Sequence, residues 1–150
     1  MKSHGYAAHD TKSPLVPYSF ERREPGPRDV VVEIAYCGVC HSDIHQVRDE
    51  WGGSMYPMVP GHEIVGRVTA VGADVTRFKA GDLAGIGVMV NSCRTCVNCK
   101  ADLENYCMKG FVGTYNAKDY DGAITYGGYA NNIVCDMRYV HTISDRKSVV

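Results

Sequence analysis

Apolar positions in this chain gather into short runs of β-branched and aromatic residues, separated by turns rich in glycine and proline, and helical periodicity is nearly absent. The clearest run, Asp29-Val30-Val31-Val32-Glu33-Ile34-Ala35-Tyr36, predicts a strand because its residue types suit a pleated, half-buried surface. Glu24-Pro25-Gly26-Pro27-Arg28-Asp29 marks its start as a turn. Further strands are predicted over Ile64 to Val71 and Leu83 to Val90, joined by the loop from Gly72 to Asp82, and again over Gly127 to Cys135 and Tyr139 to Ile143. Helix is confined to short pieces near 43–50 and 100–107, the first ended by Gly52 and Gly53. Residues 1 to 13 carry little pattern beyond the strand-like Tyr6-Ala7-Ala8. Strands linked by such loops predict a mainly β class built as a barrel.

One stretch breaks the pattern. Cys37-Gly38-Val39-Cys40-His41-Ser42-Asp43-Ile44-His45 packs two thiols, two imidazoles, a hydroxyl and a carboxylate where a core strand would place apolar residues, so the first strand delivers a polar turn. Pro60-Gly61-His62-Glu63 adds an imidazole and a carboxylate at the start of the next strand, and Pro57 and Pro60 stiffen the approach to His62. Cys40 and His62 together make half a zinc site. A second set, Cys93-x2-Cys96-x2-Cys99-x7-Cys107, has spacings that let tight turns bring each sulfur to about 2.3 Å from one tetrahedral Zn2+. The residues between these cysteines, Arg94, Thr95, Asn98 and Lys100, are too polar for a buried run. A nucleic-acid zinc finger is disfavoured by the lack of a histidine pair and the scarcity of basic residues nearby.

Composition narrows the function. A chain of 150 residues is one domain's worth, with length enough for its own core. Its 16 lysines and arginines against 17 acids form no long block of either sign, which removes the electrostatic case for nucleic acid or an anionic membrane and points to small-molecule partners. No apolar run approaches the ~18 residues of a membrane span, and Met1 to Asp10 lacks a signal peptide's apolar core, so a cytoplasmic protein is expected. Seven cysteines in that setting argue for reduced thiols and metal rather than disulfides. Cys37 and Cys135, each beside an apolar run, are the two left without a metal role.

The segments CGVCHSDIHQ and YPMVPGHEIVGRVTAVGADV, followed by the four-cysteine cluster, resemble the N-terminal catalytic domain of zinc-dependent medium-chain alcohol dehydrogenases, most of all the cinnamyl alcohol dehydrogenase-like aldehyde reductases. The likeness runs from about Tyr18 to Tyr139. It implies a GroES-like, partly open β-barrel with short helices over residues 1–150, truncated at its C-terminal side, and a structural zinc lobe at about 91–110. It implies catalytic zinc ligands at Cys40 and His62, with Glu63 as a labile ligand or close neighbour, and structural zinc ligands at Cys93, Cys96, Cys99 and Cys107. Asp43 matches the carboxylate that orients the ligating histidine. Ser42 and His45 match a proton relay, Ser42 also touching the cofactor, and His41 either faces the cofactor pyrophosphate or stands exposed and uninvolved.

The implied activity is interconversion of primary alcohols and aldehydes with NADP(H), in a full-length form that is a homodimer. No Gly-x-Gly-x-x-Gly fingerprint lies between a strand and a helix, so the Rossmann domain is expected to be absent from this chain and the isolated chain to be inactive. The alternative is a non-catalytic zinc-binding fragment. Trp51, Met55, Tyr56 and Met58 are read evenly as pocket wall or core, and His4, His9 and His141 as surface or satisfied strand residues.

Overall fold

The computed structural model describes residues 1–144, so the last six positions of the expected domain lie outside the described residues. The N-terminus forms an antiparallel hairpin of β1 (Lys2–Ala7) and β2 (Val16–Glu21), with Lys2 paired to Glu21 and Ala7 to Val16. This corrects the reading of residues 1–13 as nearly patternless. Ser3 and Ala7 are the buried positions of β1, so its inward face is small and only partly apolar, and strand formation depends on partners distant in sequence. Just past its end, Ala8 exchanges both backbone hydrogen bonds with Met58 at 2.9 Å.

The central element is β3 (Asp29–Gly38), two residues longer than expected, so Cys37 and Gly38 end a strand rather than begin a turn. Val30, Val31 and Val32 are all buried at its start, consistent with a strand covered on both faces. It leads into α1 (His41–Val47) and β4 (Glu63–Val71), then β5 (Leu83–Ile86) and β6 (Met89–Asn91). The cysteine-rich stretch holds α2 (Val97–Lys100) and a 3-10 turn at Glu104–Tyr106. The chain then forms β7 (Val112–Gly113), β8 (Asn132–Asp136) and, after a 3-10 turn at Met137–Tyr139, β9 (Val140–Thr142). An antiparallel five-stranded sheet runs in the order β8-β3-β4-β5-β9, and the fold is mainly β, a curled half-barrel.

The core lies within this sheet: Val30, Val32, Ile64, Val68, Phe78, Ala84, Ile86, Ile133, Cys135, Tyr139 and Val140 form one buried cluster. Each fully buried Val or Ile contributes about 1.5–3 kcal/mol relative to exposure. Cys135 belongs to it, and burial pushes its thiol pKa well up, as expected of a small buried hydrophobe. A smaller cluster of Ala7, Phe20 and Val59, backed by Tyr18, Tyr126 and Tyr129, packs the hairpin onto the segment before His62.

Two predicted strands are shorter than expected because their backbones bond elsewhere. The run 83–90 splits: Thr114 donates its amide to the Val88 carbonyl at 2.9 Å and its hydroxyl to Gly87, and β6 pairs with β7 in a separate ribbon. The stretch 127–129 donates to the loop before β4 instead of joining β3, through Gly127 to Val59 (2.7 Å), Gly128 to Gly61 (2.8 Å) and Tyr129 to Pro60 (3.0 Å). The helix read at 43–50 begins at His41, because the Asp43 carboxylate accepts the Cys40 amide at 2.9 Å in a cap, and the second helical piece starts at Val97 rather than 100.

Candidate metal centres

Among the described residues, two groups of potential ligands bring their donor atoms within 4.8 Å of one another: Cys93, Cys96, Cys99 and Cys107, and Cys40, His62 and Glu63.

The four thiols close within one lobe. The Cys93 and Cys99 sulfurs are 3.8 Å apart and those of Cys96 and Cys99 3.4 Å apart. Sulfurs held ~2.3 Å from a tetrahedral Zn2+ stand about 3.8 Å from each other, so the set fits that ion. Backbone amides aim at the sulfurs, Cys93 N to Cys107 Sγ and Cys96 N to Cys93 Sγ at 3.4 Å and Cys99 N to Cys96 Sγ at 3.5 Å, an arrangement that favours thiolates. The Thr95 amide, with the Cys96 amide, holds the Cys93 thiol down at about 5. The Ser92 hydroxyl works in the same direction on Cys99, but burial and the adjacent Cys96 and Cys107 sulfurs push that thiol up to about 11. Four thiolates without a cation repel one another, and a divalent ion relieves that repulsion. The lobe is moored to the barrel by Arg94, which donates to Asp136 in β8 at 2.8 Å, and by Ser92, which accepts from Tyr139 Oη at 2.7 Å.

The second group is assembled across the sheet. Antiparallel register sets Gly38 opposite Glu63 and Cys37 opposite Ile64, which brings Cys40, just past β3, beside His62, just before β4. A β-bulge between Ile34 and Tyr36 bends β3 ahead of this junction. Gly38 leaves room for the exposed Glu63 side chain, since a Cβ there would collide with its carboxylate. Gly61 lies at φ 100°, and a Cβ would come within 2.7 Å of the Tyr129 ring and 2.8 Å of Cys37 Sγ. Thiolate, imidazole and carboxylate suit Zn2+ and leave a fourth position open.

Asp43 organises this group. Its side chain is only 3% exposed. Oδ1 accepts the Gly61 amide at 3.0 Å and lies 3.4 Å from His62 Nδ1, while Oδ2 accepts the Cys40 amide at 2.9 Å and the Tyr129 hydroxyl at 3.1 Å. The carboxylate therefore fixes the backbone at both ligand positions and turns His62 so that Nε2 faces the open side. There Ser42 Oγ stands 3.5 Å from Nε2. His45, on the next turn of α1, is half exposed, pairs through Nδ1 with Glu50 and packs against the exposed Trp51 ring at 5.1 Å. His41 is exposed, its ring 6.1 Å from that of His45.

Other candidates separate cleanly. Met58 is core, Tyr56 donates to the Val47 carbonyl, and Trp51 is 60% exposed. His4 bonds Ser19 Oγ at the surface, His9 meets Tyr18 edge-on, and His141 is an exposed β9 residue. Two tyrosines were not foreseen: Tyr129, and Tyr115, whose ring stacks on His62 at 5.9 Å. Burial and the Asp43 charge push both phenols well up, so both remain donors at neutral pH. No spacing rule marks them; only the Gly-Gly ahead of Tyr129 hints at close backbone approach.

Residues 26–145 match the alcohol dehydrogenase GroES-like domain. A probable mannitol dehydrogenase of Fragaria ananassa is 54% identical over 144 residues, which cover 96% of this chain and 40% of the relative. A cinnamyl alcohol dehydrogenase from Sorghum bicolor superposes with a TM-score of 0.93 at 46% identity, over 97% of this chain and 41% of its own. The cinnamyl alcohol dehydrogenase of Helicobacter pylori, solved with NADP(H), gives 0.91 at 44% identity, over 96% and 42%. The chain thus spans about two fifths of the length of these proteins. No helix among the described residues is long and apolar enough to cross a membrane.

Proposed function

The chain belongs to the alcohol dehydrogenase GroES-like domain family, and from that premise we propose that it is the catalytic domain of a zinc-dependent enzyme interconverting primary alcohols and aldehydes with NADP(H). The observation that carries the reading is the convergence of Cys40, His62 and Glu63 in front of a buried carboxylate that bonds both ligand segments. Cys40 and His62 would hold a catalytic Zn2+ with Glu63 as a labile ligand, and Cys93, Cys96, Cys99 and Cys107 a structural one in a lobe spanning about 91–110. The catalytic ion would polarise the substrate oxygen and ease loss of its proton.

The chain's own residues supply the rest of the proton path. Ser42 Oγ, beside His62 Nε2, accepts the substrate proton, and His45, whose ring reaches solvent, releases it. The Glu50 carboxylate on Nδ1 orients that ring. NADP+ would take the hydride in this direction and NADPH would return it in aldehyde reduction, and the name of the Helicobacter pylori structure supports that choice of cofactor. Ser42 and His41 lie at the end of α1 from which they would touch the cofactor, but most of its binding falls to sequence that the relatives have and this chain does not span. We therefore assign the isolated 150-residue chain no turnover, because positioning a hydride donor can account for about 7–11 kcal/mol of the barrier. A homodimer is assigned to the longer form from the same resemblance.

The test compares NADPH consumption with an aromatic aldehyde by the isolated chain and by the chain joined to a dinucleotide-binding domain from a cinnamyl alcohol dehydrogenase. Activity confined to the fusion, and slowed by Ser42→Ala, supports the reading. Metal-dependent turnover by the isolated chain contradicts it.

A further inference from the structure

We propose that Tyr129 is a positioning residue for the mixed Cys40/His62/Glu63 centre, acting through Asp43 to set the orientation of the His62 ring and hence the affinity for metal. The inference rests on the proposed reading of that centre as a metal site.

Asp43 is a buried carboxylate whose two oxygens divide their work. Oδ1 serves the histidine side, through the Gly61 amide and His62 Nδ1. Oδ2 serves the cysteine side through the Cys40 amide, and its second partner is the Tyr129 hydroxyl. A carboxylate in a buried site rotates to satisfy both oxygens, so removing a donor from one alters the direction offered by the other. Without the Tyr129 hydroxyl, Oδ2 retains only the Cys40 amide among these contacts, and the 3.4 Å contact from Oδ1 to His62 Nδ1, the longest of the set, is the one free to change.

Tyr129 is itself fixed. Its amide donates to the Pro60 carbonyl at 3.0 Å and its carbonyl accepts from Tyr6 in β1 at 2.9 Å, so the phenol projects from a backbone tied to the segment carrying His62 and to the N-terminal hairpin. Its ring also packs on Gly61, where any side chain would collide with it. These ring and backbone contacts survive in Tyr129→Phe, which removes only the hydroxyl.

The experiment uses Co2+ as probe on the 150-residue chain with its four-cysteine lobe filled with Zn2+. The visible bands of cobalt bound to a thiolate and an imidazole report the mixed centre, and Cys40→Ser is expected to abolish them. Tyr129→Phe is expected to weaken Co2+ binding about tenfold, the low end of the loss typical when a ligand's outer partner is removed. Lobe zinc content should stay unchanged, and the thermal midpoint of the metal-free chain should fall only by the small amount that one lost hydrogen bond accounts for. In the metal-free protein, the His62 Nδ1 proton resonance should move in Tyr129→Phe, a change that a merely structural role would not produce. An unchanged cobalt titration with an unchanged His62 resonance overturns the assignment to Tyr129 and leaves the metal site standing. Equal losses at the lobe and in thermal midpoint also overturn it, in favour of general stability. Cobalt bands that persist in Cys40→Ser overturn the site reading, and this inference with it.

Discussion

One candidate centre is built from four thiols and the other from a thiol, an imidazole and a carboxylate; the first closes within fifteen residues, while the second is drawn together by sheet register. In the lobe from Cys93 to Cys107, turns and a single helical turn bring the sulfurs to 3.4–3.8 Å, and the amides that stabilise them come from the same segment. In the mixed centre, Cys40 and His62 meet only because β3 and β4 pair with Gly38 opposite Glu63. There the orienting groups arrive from α1, the Gly61 turn and Tyr129. A local site depends on its ligands; a long-range site depends on everything that sets the register. The lobe should therefore resist distant substitutions, whereas the mixed centre should be sensitive to residues that touch no metal.

The sharpest way to break that contrast is at the lobe's own ligands. Cys99→Ser should release the lobe's zinc, since a structural site of this kind carries on the order of 10 kcal/mol of apparent binding free energy near neutral pH. Cys135→Ser should keep all the zinc and lower stability by only about 1–3 kcal/mol, through a hydroxyl placed in the apolar core. Zinc analysis beside denaturant melts separates the two, and equal zinc in both variants would refute the ligand set.

Next in size is Asp43→Asn, which keeps the shape but removes the charge that faces His62 Nδ1. Metal affinity at the mixed centre should fall about 10–100-fold with the lobe unaffected, read by competition with a chelator. Loss at both centres would mean that Asp43 supports the whole fold rather than one site.

In the parent chain, the same chelator titration should remove metal in two steps, the mixed centre first, because only three protein donors converge there against four in the lobe. A single step would erase the distinction between them.

The smallest effect is expected for Arg94→Met, which cuts the lobe's 2.8 Å ion pair to Asp136. Arg28 stays within 3.6 Å of that carboxylate, so the loss should be about 1 kcal/mol of stability with zinc retained. Amide exchange should quicken in 93–107 more than in β3. Zinc loss would show that the lobe is not self-contained.

Much of this contrast was legible in the residue order. The cysteine spacing identified the lobe, and the valine run identified the strand that leads to Cys40. The weakest readings fell where backbone hydrogen bonds go to unexpected partners. β1 forms against β2, residues 127–129 bond the loop before His62, and 83–90 divides between two sheets. None of these choices is encoded in local periodicity, because glycines and small residues permit either partner.

The sequence by itself therefore pointed to the residues that gather at both candidate centres, the β class of the chain and the closure of the lobe, because residues a few positions apart need little loop entropy to meet. Only the tertiary structure decided that Asp43 would join the Cys40 and His62 segments, and that Tyr129, 86 residues away, would complete its hydrogen bonds. That arrangement follows from strand register and from the close approach of backbones at Gly61 and Gly127, quantities set by the packing of the whole sheet rather than by any one stretch of chain.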